Sequence, residues 1–216
     1  MINRTFFKLL ILCGILASCN PSINITSSYV NHDIVPKTPY KSIFVFAITQ
    51  DQHTKLTAEN RMAKLLESRG KKVVKSSDLF KGDAAGEARL SVDMNVGTIK
   101  NAGCDAILTM ALVDVQSNES YNPGTAYLPT GPVGNYGYYG SFLGYYGYMA
   151  PLVRTPGFYS GEKTYFMETN FYDMASDKLL WRIKSATYNP GSFELWFQDY
   201  SGTILSQLKK EGLIKK

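Results

Sequence analysis

Two uncharged runs, "IFVFAI" at Ile43–Ile48 and "AILTMALV" at Ala106–Val113, constrain the fold more than anything else in the chain. β-Branched, aromatic and aliphatic residues fill consecutive positions, so both read as strands buried on both faces. Between them the period changes. "TAENRMAKLLESRG" puts Met62, Leu65 and Leu66 on one helical face, with Thr57 as the cap, Asn60 three residues on, and Gly70 at the terminus. A short strand follows around Val73 and Val74. "GDAAGEARLSVDMNVGTIKNAG" reads as a second helix, with Leu90, Met94 and Ile99 on its apolar side and Gly103 at its end. Gly97 weakens that helix by about 1 kcal/mol relative to Ala. The order strand, helix, strand, helix, strand predicts an α/β sheet with crossover helices.

The C-terminal third reads differently. "KTYFMETNFYD" alternates, with Tyr165, Met167, Thr169 and Phe171 on one face and Phe166, Glu168, Asn170 and Tyr172 on the other. After the turn "DMASD", "KLLWRIKSAT" sets Leu179, Trp181 and Ile183 against Leu180, Arg182 and Lys184. This pattern predicts an antiparallel hairpin with one wet face. In "SFELWFQDYSGTILSQLKKEG", Phe193, Phe197, Tyr200, Ile204 and Leu208 recur at spacings of three and four. That is an amphipathic helix docking on the sheet. Ser192 is its cap, Lys209 and Lys210 complement its dipole, and Gly212 ends it. The expected fold is therefore α/β with α+β character. It has a single mixed sheet with crossover helices, closed by the antiparallel hairpin and the amphipathic helix. Residues 41–216 form one domain.

The N-terminus is a different kind of segment. Arg4 and Lys8 precede an apolar run from Leu9 to Leu16, far short of the roughly 20 residues a spanning helix needs. Leu16-Ala17-Ser18-Cys19 then resembles the bacterial lipobox. The resemblance implies that residues 1–18 are a signal peptide, that Cys19 is acylated, and that the lipid anchors the chain to a membrane. Several acyl chains hold stably, since each buried methylene contributes about 0.8 kcal/mol. Asn20, rather than Asp, follows the cysteine. In the familiar sorting pattern this implies the bacterial cell outer membrane, with the domain facing the periplasm. Residues 19–40 are polar and contain Pro21, Pro36 and Pro39. They read as a mostly irregular tether reaching about 25 Å, with a short strand near Ser27–Asn31.

Charge and cysteine content bound the function. The net charge of +5 falls to +3 once Arg4 and Lys8 leave with the signal, too little to argue for nucleic acid. Cys19 and Cys104 remain, and a lipidated Cys19 leaves no disulfide framework. Cys104 reads as a buried thiol packing as a small hydrophobe. "TQDQHT" ends the first strand, where α/β sheets often place ligands, so Asp51 and His53 are a candidate base and orienter. The plainer alternative is a polar strand-to-helix loop. Glu168 and Asp173 lie on the hairpin, where Asp173 shapes the turn. No Walker loop or Gly-x-Ser-x-Gly elbow occurs, and no histidine pair supports zinc. The sequence thus implies no cofactor, no metal and no catalytic residue; an enzyme is the least favoured class.

Residues 117–163 form an insert far longer than a median loop of about 4 to 6 residues. Within it, "GNYGYYGSFLGYYGYMAP" holds seven aromatic residues, five glycines and no charge. Tyr136, Tyr138, Tyr139, Phe142, Tyr145, Tyr146 and Tyr148 are the candidate binding residues. Four roles compete. The segment does not alternate cleanly enough for a barrel strand. Tyrosines suit glycan stacking. They also suit contact with an envelope protein or a second copy, because they offer large area at low entropy cost. The fourth role is a loop that folds over its own domain and covers apolar surface.

"NAGCDAILTMALVDV", the Tyr/Gly/Pro-rich insert, "KTYFMETNFYDMASDKLLWRIKSATYNP" and "ILSQLKKEGLI" together resemble a group of small bacterial lipoproteins of unassigned function. Asn170-Phe171-Tyr172-Asp173 and Asp177-Lys178-Leu179-Leu180-Trp181 occupy the places of that group's "T-x-L-Y-D" and "G-K-L-x-W". The resemblance covers most of residues 40–214 and implies no activity. More distantly, the element order is similar to the periplasmic α/β domain of the curli-secretion lipoprotein CsgG and related envelope proteins, which also start with a lipid anchor. The expected function is a non-enzymatic binding or assembly module of the cell envelope, acting through the insert. The alternative is a glycan- or peptidoglycan-binding lipoprotein, and the third class is an enzyme using Asp51 and His53.

Overall fold

The computed structural model describes residues 23–80, 96–117, 140–150, 152 and 163–214. Six strands form one mixed sheet: β1 (Ile23–Val30), β2 (Ser42–Ile48), β3 (Lys72–Lys75), β4 (Ala106–Ser117), β5 (Lys163–Asp173) and β6 (Lys178–Tyr188). Their spatial order is β1-β6-β5-β4-β2-β3. β3, β2 and β4 are parallel, and the remaining pairings are antiparallel. Among the described residues five α-helices accompany them, besides a 3-10 turn at His32–Ile34: α1 (Gln52–Glu67), α2 (Ser76–Leu79), α3 (Val96–Asn101), α4 (Phe142–Met149) and α5 (Phe193–Lys210). This is the mixed α/β sheet with helices that the sequence predicts.

The two sides of the sheet are covered differently. On one, Ile43, Val45, Leu108, Met110, Phe171 and Ile183 meet α1 and α5. On the other, Phe44, Phe46, Ile48, Ile107, Ala111 and Tyr172 meet α4 and Ile99 of α3. β2 is buried at every position, as a strand sandwiched between two helical layers must be.

Several elements depart from the sequence expectation. The described part of the tether, residues 23–40, is not mostly irregular: β1 takes eight of them into the sheet, paired along β6 from Ile23↔Thr187 to Val30↔Trp181. Helix α1 starts five residues before Thr57, because Asp51 has extended backbone and its Oδ1 accepts the Thr54 N–H at 2.7 Å. Asp51 therefore caps, and Thr57 lies inside the helix. Of the second helix, only Val96–Asn101 falls within the described residues, and Leu90 and Met94 lie outside them. Gly103 does follow it with φ +78°.

The expected wet face of the hairpin is largely covered: Glu168, Asn170 and Arg182 are buried, while Phe166 and Lys184 on the same side are half-buried. The register also shifts, with Phe171 opposite Trp181 and Tyr172 opposite Leu179. The extra residue, Leu180, reverses the parity of the side chains. Leu179 joins Tyr172 on the α4 side, while Leu180, Trp181 and Ile183 share the α5 side.

Candidate functional site

The aromatic stretch is partly a helix. Ser141 caps α4, its Oγ accepting the Gly144 N–H at 3.2 Å. Phe142, Tyr145, Tyr146 and Met149 recur as i, i+3, i+4 and i+7, and all four are buried. Phe142 packs on Phe46 and Tyr172, with ring centroids 6.2 and 6.1 Å apart. Tyr146 lies 5.4 Å from Phe46, and Tyr145 lies 6.3 Å from Tyr172. Three of the seven candidate binding rings are thus core residues in this arrangement. Their burial follows from the helical period, which gathers them on one side facing an aromatic sheet. Tyr148 is half-buried, and Leu143 and Gly147 are exposed on the outer side. Tyr136, Tyr138 and Tyr139 lie outside the described residues, as does Cys19.

A second region lies where β2 and β4 end and α1 and α5 begin. Ala47, Thr49, Thr54, Met110, Leu112 and Trp196 are among the walls of a small cleft of about 30 Å³. Its lining is almost wholly apolar. Trp196 is buried there, and its indole Nε1 has no hydrogen-bond acceptor among the described residues. At the rim, His53 is 80% exposed, and its Nε2 is 4.0 Å from Glu194 Oε1. Glu194 of α5 thus faces His53 from the other long helix. Asp51 is committed to the α1 cap, and the Thr54 hydrogen bonds hold its pKa below the usual carboxylate value. In "TQDQHT", residues 49–51 form the strand-to-helix loop and Gln52–Thr54 open the helix.

Buried polar groups cluster elsewhere. Glu59 accepts from Ala47 N at 3.1 Å, Ser76 Oγ at 2.5 Å and Ser77 N at 2.9 Å, joining α1 to β2 and to the start of α2. Lys55, one turn earlier, holds its Nζ 5.2 Å from the Phe46 ring centroid, and burial lowers its pKa. On the α4 side of the sheet, Glu168 pairs with Lys184 at 3.3 Å and accepts from Asn170 Nδ2 at 3.2 Å. Arg182 lies over the Tyr29 ring at 5.9 Å. Sequence reading missed Glu59, and an acid inside an apolar helical face is the signal that marks it.

The remaining candidates are structural. Asp173 Oδ2 accepts from Ser176 N and Oγ at 2.7 and 2.6 Å, and its Oδ1 accepts from the Tyr40 hydroxyl at 2.9 Å. Burial works against its carboxylate, but these hydrogen bonds outweigh it and lower the pKa. Asp173 thus shapes its turn and ties β5 to the chain before β2. Cys104 is a free buried thiol beside Ser42, and burial raises its pKa. A raised pKa leaves less thiolate for nucleophilic attack. Among the described residues no group of three His, Cys, Asp or Glu side chains could hold a metal. No described helix is long and apolar enough to cross a membrane.

No family model matches the chain, and no curated protein matches it in sequence. Among solved structures it is similar to two PelC dodecamers from Paraburkholderia phytofirmans. One, a leucine-to-methionine variant, is 10% identical over 88% of this chain and 96% of that one, at a TM-score of 0.42. The other is 10% identical over the same shares, at 0.40. Lipoprotein GNA1162 from Neisseria meningitidis is 14% identical over 79% of this chain and 99% of that one, at 0.41.

Proposed function

We propose that this chain is a lipid-anchored protein of the bacterial outer membrane. Residues 1–18 are its signal peptide, Cys19 carries the lipid, and the domain works in the periplasm as a non-enzymatic binding or assembly module. The observation that carries the reading is the short interval between the lipobox and the sheet. Cys19 precedes Ile23, the first residue of β1, by four positions. A chain cut before Cys19 keeps every strand of the sheet, and a cut only a few residues later would remove part of β1.

The working surface in this reading is the part of the insert that is not core. It comprises the outer side of α4 with Leu143 and Tyr148, together with Tyr136, Tyr138 and Tyr139. Phe142, Tyr145 and Tyr146 support that surface from beneath. The partner is an envelope protein or a second copy. Envelope cross-linking tests it, with Tyr136, Tyr138, Tyr139 and Tyr148 replaced by serine and the buried rings kept. Loss of a cross-linked complex is the expected outcome; complexes unchanged by the replacement sink the proposed surface. Co-sedimentation with peptidoglycan that depends on the same tyrosines would instead favour the glycan-binding alternative.

A further inference from the structure

The sheet has two outer strands, β3 and β1, and they end it in different ways. β3 is four residues long and carries a lysine at each end, Lys72 and Lys75. Short length and lysine are common devices that keep a sheet edge from pairing with another chain. β1 has neither. It is eight residues long, and "INITSSYV" contains no charge and no proline. β6 pairs with it on one side, and among the described residues no strand lies on the other. Asn24, Ile25, Thr26 and Ser28 are exposed. Asn31, the next residue after β1, gives its N–H to the Leu180 carbonyl of β6. Alternation therefore turns the backbone groups of Val30 and Ser28 away from β6, towards the open side.

A bulge makes this edge complementary to itself. The register passes from Ile25↔Ser185 to Ser27↔Lys184, so Thr26 is an extra residue in β1. The extra residue reverses the parity of the side chains that follow it. Ile23 and Ile25 before it, and Ser28 and Val30 after it, therefore all face the α5 side of the sheet. Asn24, Ser27 and Tyr29 face the α4 side. In a regular strand Ile23 and Val30, an odd number of residues apart, would face opposite sides. A two-fold axis between Thr26 and Ser27 sets Ile23 opposite Val30 of a second copy, Ile25 opposite Ser28, and Asn24 opposite Tyr29. Each of these pairs lies on one side of the joined sheet, as an antiparallel ladder requires. The outward backbone groups of Val30 and Ser28 then face the second strand, and no charge stands opposite a like charge.

We propose that β1 is a self-association strand, through which two copies of this chain join antiparallel into one continuous sheet. Main-chain hydrogen bonds supply the contact, and the paired side chains fix its register. A two-fold contact of this kind closes at two copies, because each chain offers the same strand to the other. The surface is separate from the aromatic insert, and it does not depend on acylation of Cys19.

The test uses the full chain, purified in a mild non-ionic detergent, beside its Thr26→Lys variant. Thr26 is exposed, so the change leaves the core alone and sets two ammonium groups together at the axis. Sedimentation equilibrium should give the parent twice the monomer mass. Thr26→Lys should raise its dissociation constant at least about tenfold, since like charges brought together at an interface are unfavourable. Two further variants read the register. In the proposed pairing the two residues at position 27 are neighbours across the axis, whereas those at 24 are offset by five residues, about 17 Å. Mild oxidation should therefore join Ser27→Cys into a disulfide dimer and leave Asn24→Cys unjoined. The parent, oxidised in parallel, sets the background from Cys19, while Cys104 is buried. A monomeric parent overturns the proposal and leaves the edge to an extended segment of another protein. An assembly that Thr26→Lys does not weaken overturns it too, as does equal joining at 27 and 24. If Thr26→Lys fails to fold, the two cysteine variants decide alone.

Discussion

Two helices carry aromatic rings to the sheet, one on each side, and they hold those rings in different ways. In α5 most ring contacts run along the helix itself, and Trp196 also meets Tyr165 of β5 at 5.7 Å. Phe193 stacks on Phe197 at 5.4 Å, Phe197 meets Tyr200 at 5.5 Å, and Trp196 meets Tyr200 at 6.1 Å. In α4 one ring contact lies within the helix, Phe142 to Tyr146 at 6.3 Å, and four go to Phe46 and Tyr172 of the sheet. The length difference gives the reason. α5 has eighteen residues, a Ser192 cap and a lysine pair at its end. α4 has eight, with glycines at 144 and 147, and a helix that short is not stable alone in water. Length and capping favour α5 before it docks, whereas α4 leans more heavily on the aromatic surface it meets.

The sharpest way to break this comparison is Phe142→Ala. A core ring should cost about 3–5 kcal/mol when truncated, read as a lower urea midpoint. An unchanged midpoint would mean that the ring is not part of the core and would restore it as a surface residue. Next in size is Tyr200→Phe on the opposite side. The Tyr200 hydroxyl is hydrogen-bonded to Thr169 Oγ1 in full burial. Its removal strands the threonine hydroxyl and should cost about 1–3 kcal/mol by the same measurement.

Gly147→Ala should act the other way. Its exposed position has open space where the methyl would go. In a helix interior alanine is favoured over glycine by about 0.5–1 kcal/mol, so the urea midpoint should rise. Loss of stability would argue against a helix at 142–149. The smallest effect concerns Asp51. Its pKa is lower in the folded chain than in the unfolded one, so its contribution is complete above the ordinary carboxylate pKa. That contribution is lost as pH falls through the lowered folded value. Asp51→Asn should flatten the acid limb of a stability–pH curve while keeping the cap. An identical acid limb in both proteins would show that Asp51 is not the group responsible.

These contrasts show where the fold and the candidate site were legible. β2, β4 and α5 could be read because each carries a long pattern set by its own residues. The period of α4 was also present, at 142, 145, 146 and 149, but glycines and repeated tyrosines obscured it. Glu168, Asn170 and Arg182 misled for a different reason. Alternation marks them as one face of a strand, but only the neighbouring strands and the layer above decide whether that face meets water. In the fold, Asp51 caps a longer α1, and the packing of α5 also sets Glu194 beside His53.

By itself the sequence determined the parallel β2–β3–β4 unit, the C-terminal hairpin and the amphipathic α5. Each follows from hydrophobic period and terminal residues within a single segment. Tertiary structure alone decided that β1 joins β6, that Leu180 bulges, and that three tyrosine-stretch rings become core. Those outcomes depend on contacts between residues far apart in the chain, and a local pattern carries no record of what will lie across from it.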